Sequence, residues 1–358
     1  MFGQASRLIS LTTPLAPDTL LLYRMTAVEQ LGRLYEYRVE MFSTDFNIAL
    51  DSVLGKKMTI HITLPNGDQR HWNGYVSQFT QVPSTGQLAH YQAVLRPWLW
   101  FLTRWADCRI YQEQSIPDII KDVFRRRGFS DFEERLSGTY EPWTYCVQYR
   151  ETDFNFVCRL MEQEGIYFYF RHERDKHFVV LSDGYGSHDK VPQYEDIPFF
   201  PPENAERRER DHIHEWSITQ EVQPGAVVLD DYNFETPNAD LRTTTMFIRE
   251  HENADGEIYD YPGEYAERPR GEQYSNVRIE EFHAQYERGR GSGNARGIIP
   301  GALFSLTQFP RGDQNREYLI TQATYHIISD AFETGKEGAA RMFRVNFKAV
   351  GSSTQYGP

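Results

Sequence analysis

Apolar and polar residues alternate from residue 59 to 64, where Ile60, Ile62 and Leu64 interleave with Thr59, His61 and Thr63. A period of two sends each set to its own face of a β-strand. Asn66 and Gly67 follow as a hairpin turn, and residues 72–79 return as a second strand. A further run over 90–95 ends at Pro97, whose nitrogen has no hydrogen for an interior ladder. Residues 1–105 thus read as a β meander.

The period then changes. Ile116, Ile119, Ile120, Val123 and Phe124 fall on one face of a helix, with Ser115 as N-cap, Pro117 in the first turn and Gly128 past the end. A second helix begins at Thr152 or Asp153 and stops at Gly165, with Phe154, Val157, Cys158 and Met161 as its apolar stripe. Directly after it, Ile166, Phe168 and Phe170 alternate with Tyr167 and Tyr169, and residues 178–181 return beyond a charged turn. Two helices leading into a hairpin describe a small α+β insert. Pro198, Pro201 and Pro202, followed by a charge run over 206–211, mark a boundary. Strands are predicted again over 215–221 and 227–234, joined by a turn at Pro224 and Gly225, and over 318–328 and 342–350. Between them, Ile279, Phe282, His283 and Tyr286 share a face of a helix expected over 276–288. The class is α+β and β-rich, in three domains: 1–105, 106–200 and 201–358, the last with a helical insertion near 276–290.

Composition agrees with a folded β-rich chain, since 40% of residues are hydrophobic and 14% aromatic. A net charge of -13 repels phosphate backbones, so nucleic acid is not an expected partner. No apolar run is long enough to span a membrane or to form a signal peptide; the expectation is synthesis and folding in the cytoplasm.

Candidate chemistry is thin. Cys108, Cys146 and Cys158 are odd in number and lack ligand spacing, which leaves reduced, mostly buried thiols. His212 and His214 alternate on a strand without a third metal ligand at a recognised spacing. Gly289, Gly291 and Gly293 follow a helix instead of opening one, so a flexible loop fits better than a dinucleotide site. Arg311, Gly312 and Asp313 spell an adhesion tripeptide and are expected to form a turn. No cofactor or metal site emerges. The enzyme alternative is a carbohydrate- or peptidoglycan-acting hydrolase using Glu162 and Glu164, with Trp98, Trp100 and Trp105 stacking on sugars. Residues two apart on a helix point away from each other, which argues against that pair.

Pro97, Trp98, Leu99 and Trp100, then Asp107, Cys108, Arg109 and Ile110, then the block YCVQYRETDFNFVCRLMEQEGIYFYFRHE over 145–173 are together more specific than their periodicity. Within that block Tyr145, Tyr149, Arg150, Glu151, Asp153, Glu164 and Gly165 carry the signature, and Tyr261, Pro262 and Gly263 extend it, as does the segment 297–304. These residues resemble the N-terminal region of VgrG proteins, the spikes of type VI secretion systems, over nearly the whole chain. The resemblance implies a phage tail hub-like fold in which 1–105 and 201–358 are β-barrel-like and 106–200 is the α+β domain. It further implies a homotrimer whose six similar units match the end of a hexameric Hcp tube. Baseplate proteins would surround it, and sheath contraction would expel it. The neck and triple-stranded β-helix usual in the family, with any tip protein or effector, are not in this sequence; an isolated hub is therefore expected to trimerise weakly.

Overall fold

The computed structural model describes residues 4, 7–84, 86–201, 203, 210–329 and 343–356. The first segment contributes β1 (Ile9–Thr12), β2 (Leu21–Gln30), β3 (Glu36–Ser43), β4 (Lys57–Thr63), β5 (Gln69–Val82) and β6 (Ala89–Arg96). Next come β7 (Ala106–Tyr111), α1 (Ile116–Arg126), β8 (Phe132–Arg135), β9 (Cys146–Thr152), α2 (Asp153–Glu164), β10 (Tyr167–His172), β11 (His177–Ser182), β12 (Asp189–Lys190) and β13 (Asp196–Pro198). The last segment holds β14 (Ile213–Gln220), β15 (Ala226–Leu229), β16 (Thr243–Met246), β17 (Glu257–Asp260), α3 (Arg268–Ala284), β18 (Glu287–Gly293), β19 (Ala302–Thr307), β20 (Glu317–Ile328) and β21 (Phe343–Gly351).

One large sheet runs in the order β1-β4-β5-β6-β3-β2-β20-β21-β18-β14, with β19 on β20 and the short β12 and β13 parallel to β19. The first and last segments join edge to edge where β2 and β20 pair antiparallel. Ala27 lies opposite Tyr325 there, both fully buried, so a small side chain makes room for a large ring. Among the described residues the strands form an open series and not a closed ring. The main core reaches from Ile9 through α1 and α2 to Phe347.

The expected helix α1 forms with Ser115 as its cap and with Ile116, Ile119, Ile120, Val123 and Phe124 fully buried. Helix α2 keeps its predicted ends, Thr152 accepting from the Asn155 amide and Gly165 in the left-handed region at φ 72°. Its buried stripe is rotated, however: Phe156, Val157, Leu160 and Met161 face the core, while Phe154 and Cys158 are half-buried. The hairpin β10–β11 is covered on both faces. Phe168 and Phe170 enter the main core, whereas Tyr167 and Tyr169 pack with Leu31, Leu303 and Leu319 in a second one. Strand β8 adds in parallel to β11, and β7 and β9 make a separate ribbon.

Three expectations are corrected in the last segment. The helix spans Arg268–Ala284 instead of 276–288, because Pro269 opens it and Tyr286 already lies beyond its last turn. The strand expected over 227–234 ends at Leu229. The glycines 289, 291 and 293 form β18 between β14 and β21 and are no loop. Side chains from the neighbouring strands explain their absence of a Cβ: one at Gly289 would meet the Trp216 ring at 2.5 Å, and one at Gly291 the Phe347 ring at 2.3 Å. Residues 206–209 of the charge run, Pro202 and Met342 lie outside the described residues. No helix among the described residues is long and apolar enough to cross a membrane.

Candidate functional site

The signature residues separate into buried ties and an exposed ribbon. Pro97 ends β6 and caps a 3-10 helix over Trp98–Arg104. Trp98 is buried by that turn, stacking on Phe129 at 4.7 Å between ring centroids and meeting Phe124 edge-on at 5.0 Å. Its amide donates to His177 Nε2 at 2.8 Å, which leaves Nδ1 as the protonated nitrogen, facing Asn73 Oδ1 at 2.8 Å. Asn73 in turn donates its amide to His172 Nδ1 at 3.2 Å. His172 Nε2 then gives its proton to the Tyr37 hydroxyl at 3.0 Å, and Tyr37 donates to Glu29 at 2.6 Å. Burial holds both histidines neutral, pushing His172 down to about 3 and His177 well below its ordinary value. Burial also raises the Glu29 carboxyl, which Arg70 partly counters. This network fastens the α+β hairpin to β2, β3 and β5.

Asp153 is the second tie. Fully buried at the first turn of α2, it accepts from Arg127 Nε at 2.6 Å and from Gln148 Nε2 at 2.8 Å, with Arg126 3.8 Å away. A carboxylate there faces the positive end of the helix dipole and the arginines that close α1, so the two helices are locked end to end. Glu164 ties the other end of α2. It accepts from Trp143 Nε1 at 3.2 Å, the Tyr274 hydroxyl at 3.2 Å and Gln273 Nε2 at 3.4 Å, and burial raises its pKa. Gly165 sits so close to α3 that a Cβ would meet Val277 at 2.8 Å. The insert therefore grips the last segment through α2 and α3.

The ribbon β7–β9 carries the exposed members. Its register slips between Asp107 and Cys108, and Arg150 is the extra residue, in the left-handed region at φ 52°. The bulge turns Tyr149, 65% exposed, to solvent with Tyr145 and Ile110. Around them Asp107 pairs with Arg109 at 2.7 Å, and Glu151 with Arg159 at 2.7 Å. Arg109 also holds the Asp107 carboxyl below its ordinary range. Trp100 is half-buried under Arg104, whose guanidinium lies 4.6 Å from the ring centroid. Tyr261 and Pro262 are exposed past β17, joined by a cis peptide, and the Gly263 amide donates to the Asp230 carbonyl at 2.9 Å.

Other candidates resolve without chemistry. Glu162 is exposed while Glu164 is buried, so the two cannot flank one glycosidic bond, and Trp98 is buried out of a sugar's reach. His212 Nδ1 meets the Arg210 carbonyl at 2.7 Å, and no group of three metal-ligating side chains occurs among the described residues. Arg311 and Asp313 bond each other at 2.8 Å and 3.0 Å across the expected turn. Cys146 is buried and Cys158 half-buried, its thiol pushed up to about 12 by burial; Cys108, contrary to expectation, is exposed. Sequence reasoning missed Glu29, Tyr37, Arg70 and Asn73, whose roles depend on partners far along the chain and leave no local spacing to find.

Residues 28–331 match the phage tail baseplate hub (GPD) family. The chain is 49% identical over 353 residues to the type VI secretion system spike protein VgrG1a of Pseudomonas aeruginosa, covering 99% of this chain and 55% of that protein. It thus spans about half the length of the curated relatives it matches. An E. coli component of the type VI secretion system, described as structurally similar to T4 bacteriophage tail proteins gp27 and gp5, aligns with a TM-score of 0.69 at 19% identity, over 98% of this chain and 78% of its own. The 43 kDa tail protein of prophage MuSo2 from Shewanella oneidensis aligns with a TM-score of 0.65 at 11% identity, over 98% of this chain and all of its own. At such identities those two structures speak for the fold, and it is the family match over most of the chain that carries the assignment: this chain belongs to the phage tail baseplate hub family.

Proposed function

We propose that this chain is the structural hub of a type VI secretion spike, joining a threefold spike to the end of a hexameric Hcp tube. The observation that carries the reading is the edge-to-edge union of two β-rich segments in one sheet, fastened by the α+β insert, in a chain with close spike-protein relatives. Three such chains present six β-rich units, the number a hexameric tube end requires. The functional division is 1–105 and 201–358 as tube-facing hub domains and 106–200 as the brace between them. The signature residues are structural: Trp98, Asp153, Glu164 and Gly165 hold the brace, and Tyr145, Tyr149 and Arg150 lie on its outer ribbon. Catalysis has no part in this role. The protein waits in the cytoplasm and leaves with the contracting machine, while baseplate proteins hold it and effectors or a tip protein ride on the assembled spike.

The test is assembly with the cognate Hcp, followed by size-exclusion chromatography with light scattering. A complex of three chains on one Hcp ring is the expected mass. A chain that stays separate from Hcp, even when fused to a trimerising coiled coil, would overturn the reading.

A further inference from the structure

Helix α3 covers one face of the small sheet β16–β15–β17. Val227 and Leu229 pack with Tyr274 and Ile279 of α3, and Thr245 Oγ1 lies 2.8 Å from Ser275 Oγ on the same helix. Cross-strand register sets Ala226, Met246 and Glu257 together on the opposite face, with Val228, Thr244 and Tyr259 beside them. The central Ala226 and Val228 are buried, but Met246 and Tyr259 on the flanking strands are 62% and 54% exposed. Ile248, just past β16, and Phe234 in the loop after β15 are more exposed than half as well, whereas the Phe247 ring leans on His283 of α3, 4.4 Å between centroids. Large apolar side chains clustered in the open are characteristic of a surface that another molecule covers.

Charge says what kind of molecule. Residues 222–267 contain eleven acidic residues and only two arginines, so most of the chain's net charge of -13 is concentrated around this face. Asp255, Glu257, Asp260 and Glu264 are all exposed. One of the two arginines, Arg242, already lies over the Tyr259 ring, 6.0 Å from its centroid, which shows that the ring accepts a guanidinium. Pairing the same face of two copies would oppose carboxylates to carboxylates, so self-association through it is disfavoured.

We infer that this open face docks a basic segment of another protein, one in which arginines or lysines alternate with leucine-like side chains. The apolar residues seat against Met246 and Tyr259, and the cations meet the surrounding carboxylates. The surface is separate from the tube-end reading, and each can fail without the other.

The experiment uses the whole chain with two short fluorescent peptides, one alternating arginine with leucine and one alternating arginine with serine. Binding is read by anisotropy, and the bound segment by hydrogen exchange. The leucine peptide is expected to bind about tenfold more tightly, a difference of about 1.4 kcal/mol. It should also protect amides of β16 and β17, weaken with salt, and lose affinity in Met246→Ser with Tyr259→Ser and in Asp255→Lys with Glu257→Lys. A charge change of the same size elsewhere, Asp122→Lys with Glu162→Lys, should leave binding intact. Equal affinity for both peptides, protection elsewhere, or equal loss in the distant variant would overturn the inference. So would concentration-dependent self-association abolished by Met246→Ser, since the occupant would then be a second copy.

Discussion

Arg127 donates through Nε to the fully buried carboxylate of Asp153 at 2.6 Å, joining the end of α1 to the start of α2. Arg127 also lies 5.0 Å from the Trp105 ring, and the Asp153 amide donates to the Trp105 carbonyl at 2.9 Å. One contact thus fixes two helices and the exit of the 3-10 turn that buries Trp98.

Removing that carboxylate takes from Arg126 and Arg127 their buried partner and leaves only the longer contacts to Asp122 at 3.8 Å and Asp107 at 3.9 Å. Asp153→Ala should therefore lower stability by about 3–5 kcal/mol, the cost usual for breaking a buried ion pair. Urea unfolding measures it. A double-mutant cycle with Arg127→Met should show strong coupling, and additive losses would refute the tie.

Glu164 serves three donors at once, and their fate decides its worth. Glu164→Ala should cost about 1–3 kcal/mol, because buried donors lose their acceptor. Glu164→Gln should cost less, since its carbonyl still accepts. Hydrogen exchange should quicken first in α3, the element that Glu164 holds through Tyr274 and Gln273. Loosening confined to α2 would contradict the bridging role.

Gly291→Ala introduces a Cβ within 2.3 Å of the Phe347 ring, so an overpacking loss of about 1–3 kcal/mol is expected. Gly312→Ala meets nothing within 4 Å and should leave the melting temperature unchanged. Equal effects at the two positions would mean that β18 does not need its glycines.

Acid should destabilise the fold as its buried histidines are forced to take up protons. The buried histidines have folded pKa values below the unfolded value of 6.5, with His172 near 3 and His188 near 4. Between those values the unfolded chain binds protons that the folded chain refuses, so stability is full above pH 6.5 and falls as the pH drops. Glu29 works in the other direction: its raised pKa gives a contribution present at low pH and lost as the pH rises through the folded value. Thermal melts from pH 7 to 4 should show the decline, and His172→Gln should flatten it. A melting temperature independent of pH in that range would exclude neutral burial of these rings.

Local signals in the chain were enough for much of this architecture. The α1 stripe, the cap at Ser115, both ends of α2 and the hairpin around Asn66 and Gly67 depend on residues within a few positions of one another, and they form as their spacing predicts. The signature residues also marked Trp98, Asp153 and Glu164 before their partners were visible.

What periodicity could not supply is anything that depends on long-range pairing. Strand β18 looks like a loop until Trp216 and Phe347 are seen filling the space above its glycines. The face of α2 that is buried depends on packing on more than one side, which no single stripe encodes. Glu29 and His172 read as ordinary polar residues until Tyr37 links them, although 143 positions separate them in the chain. Local sequence determined the elements and their caps, because turn and helix energetics act over a few residues. Tertiary structure decided the union of the two β-rich segments, the neutral histidine network and the open acidic face. Those follow from which surfaces remain to be buried once the strands have paired.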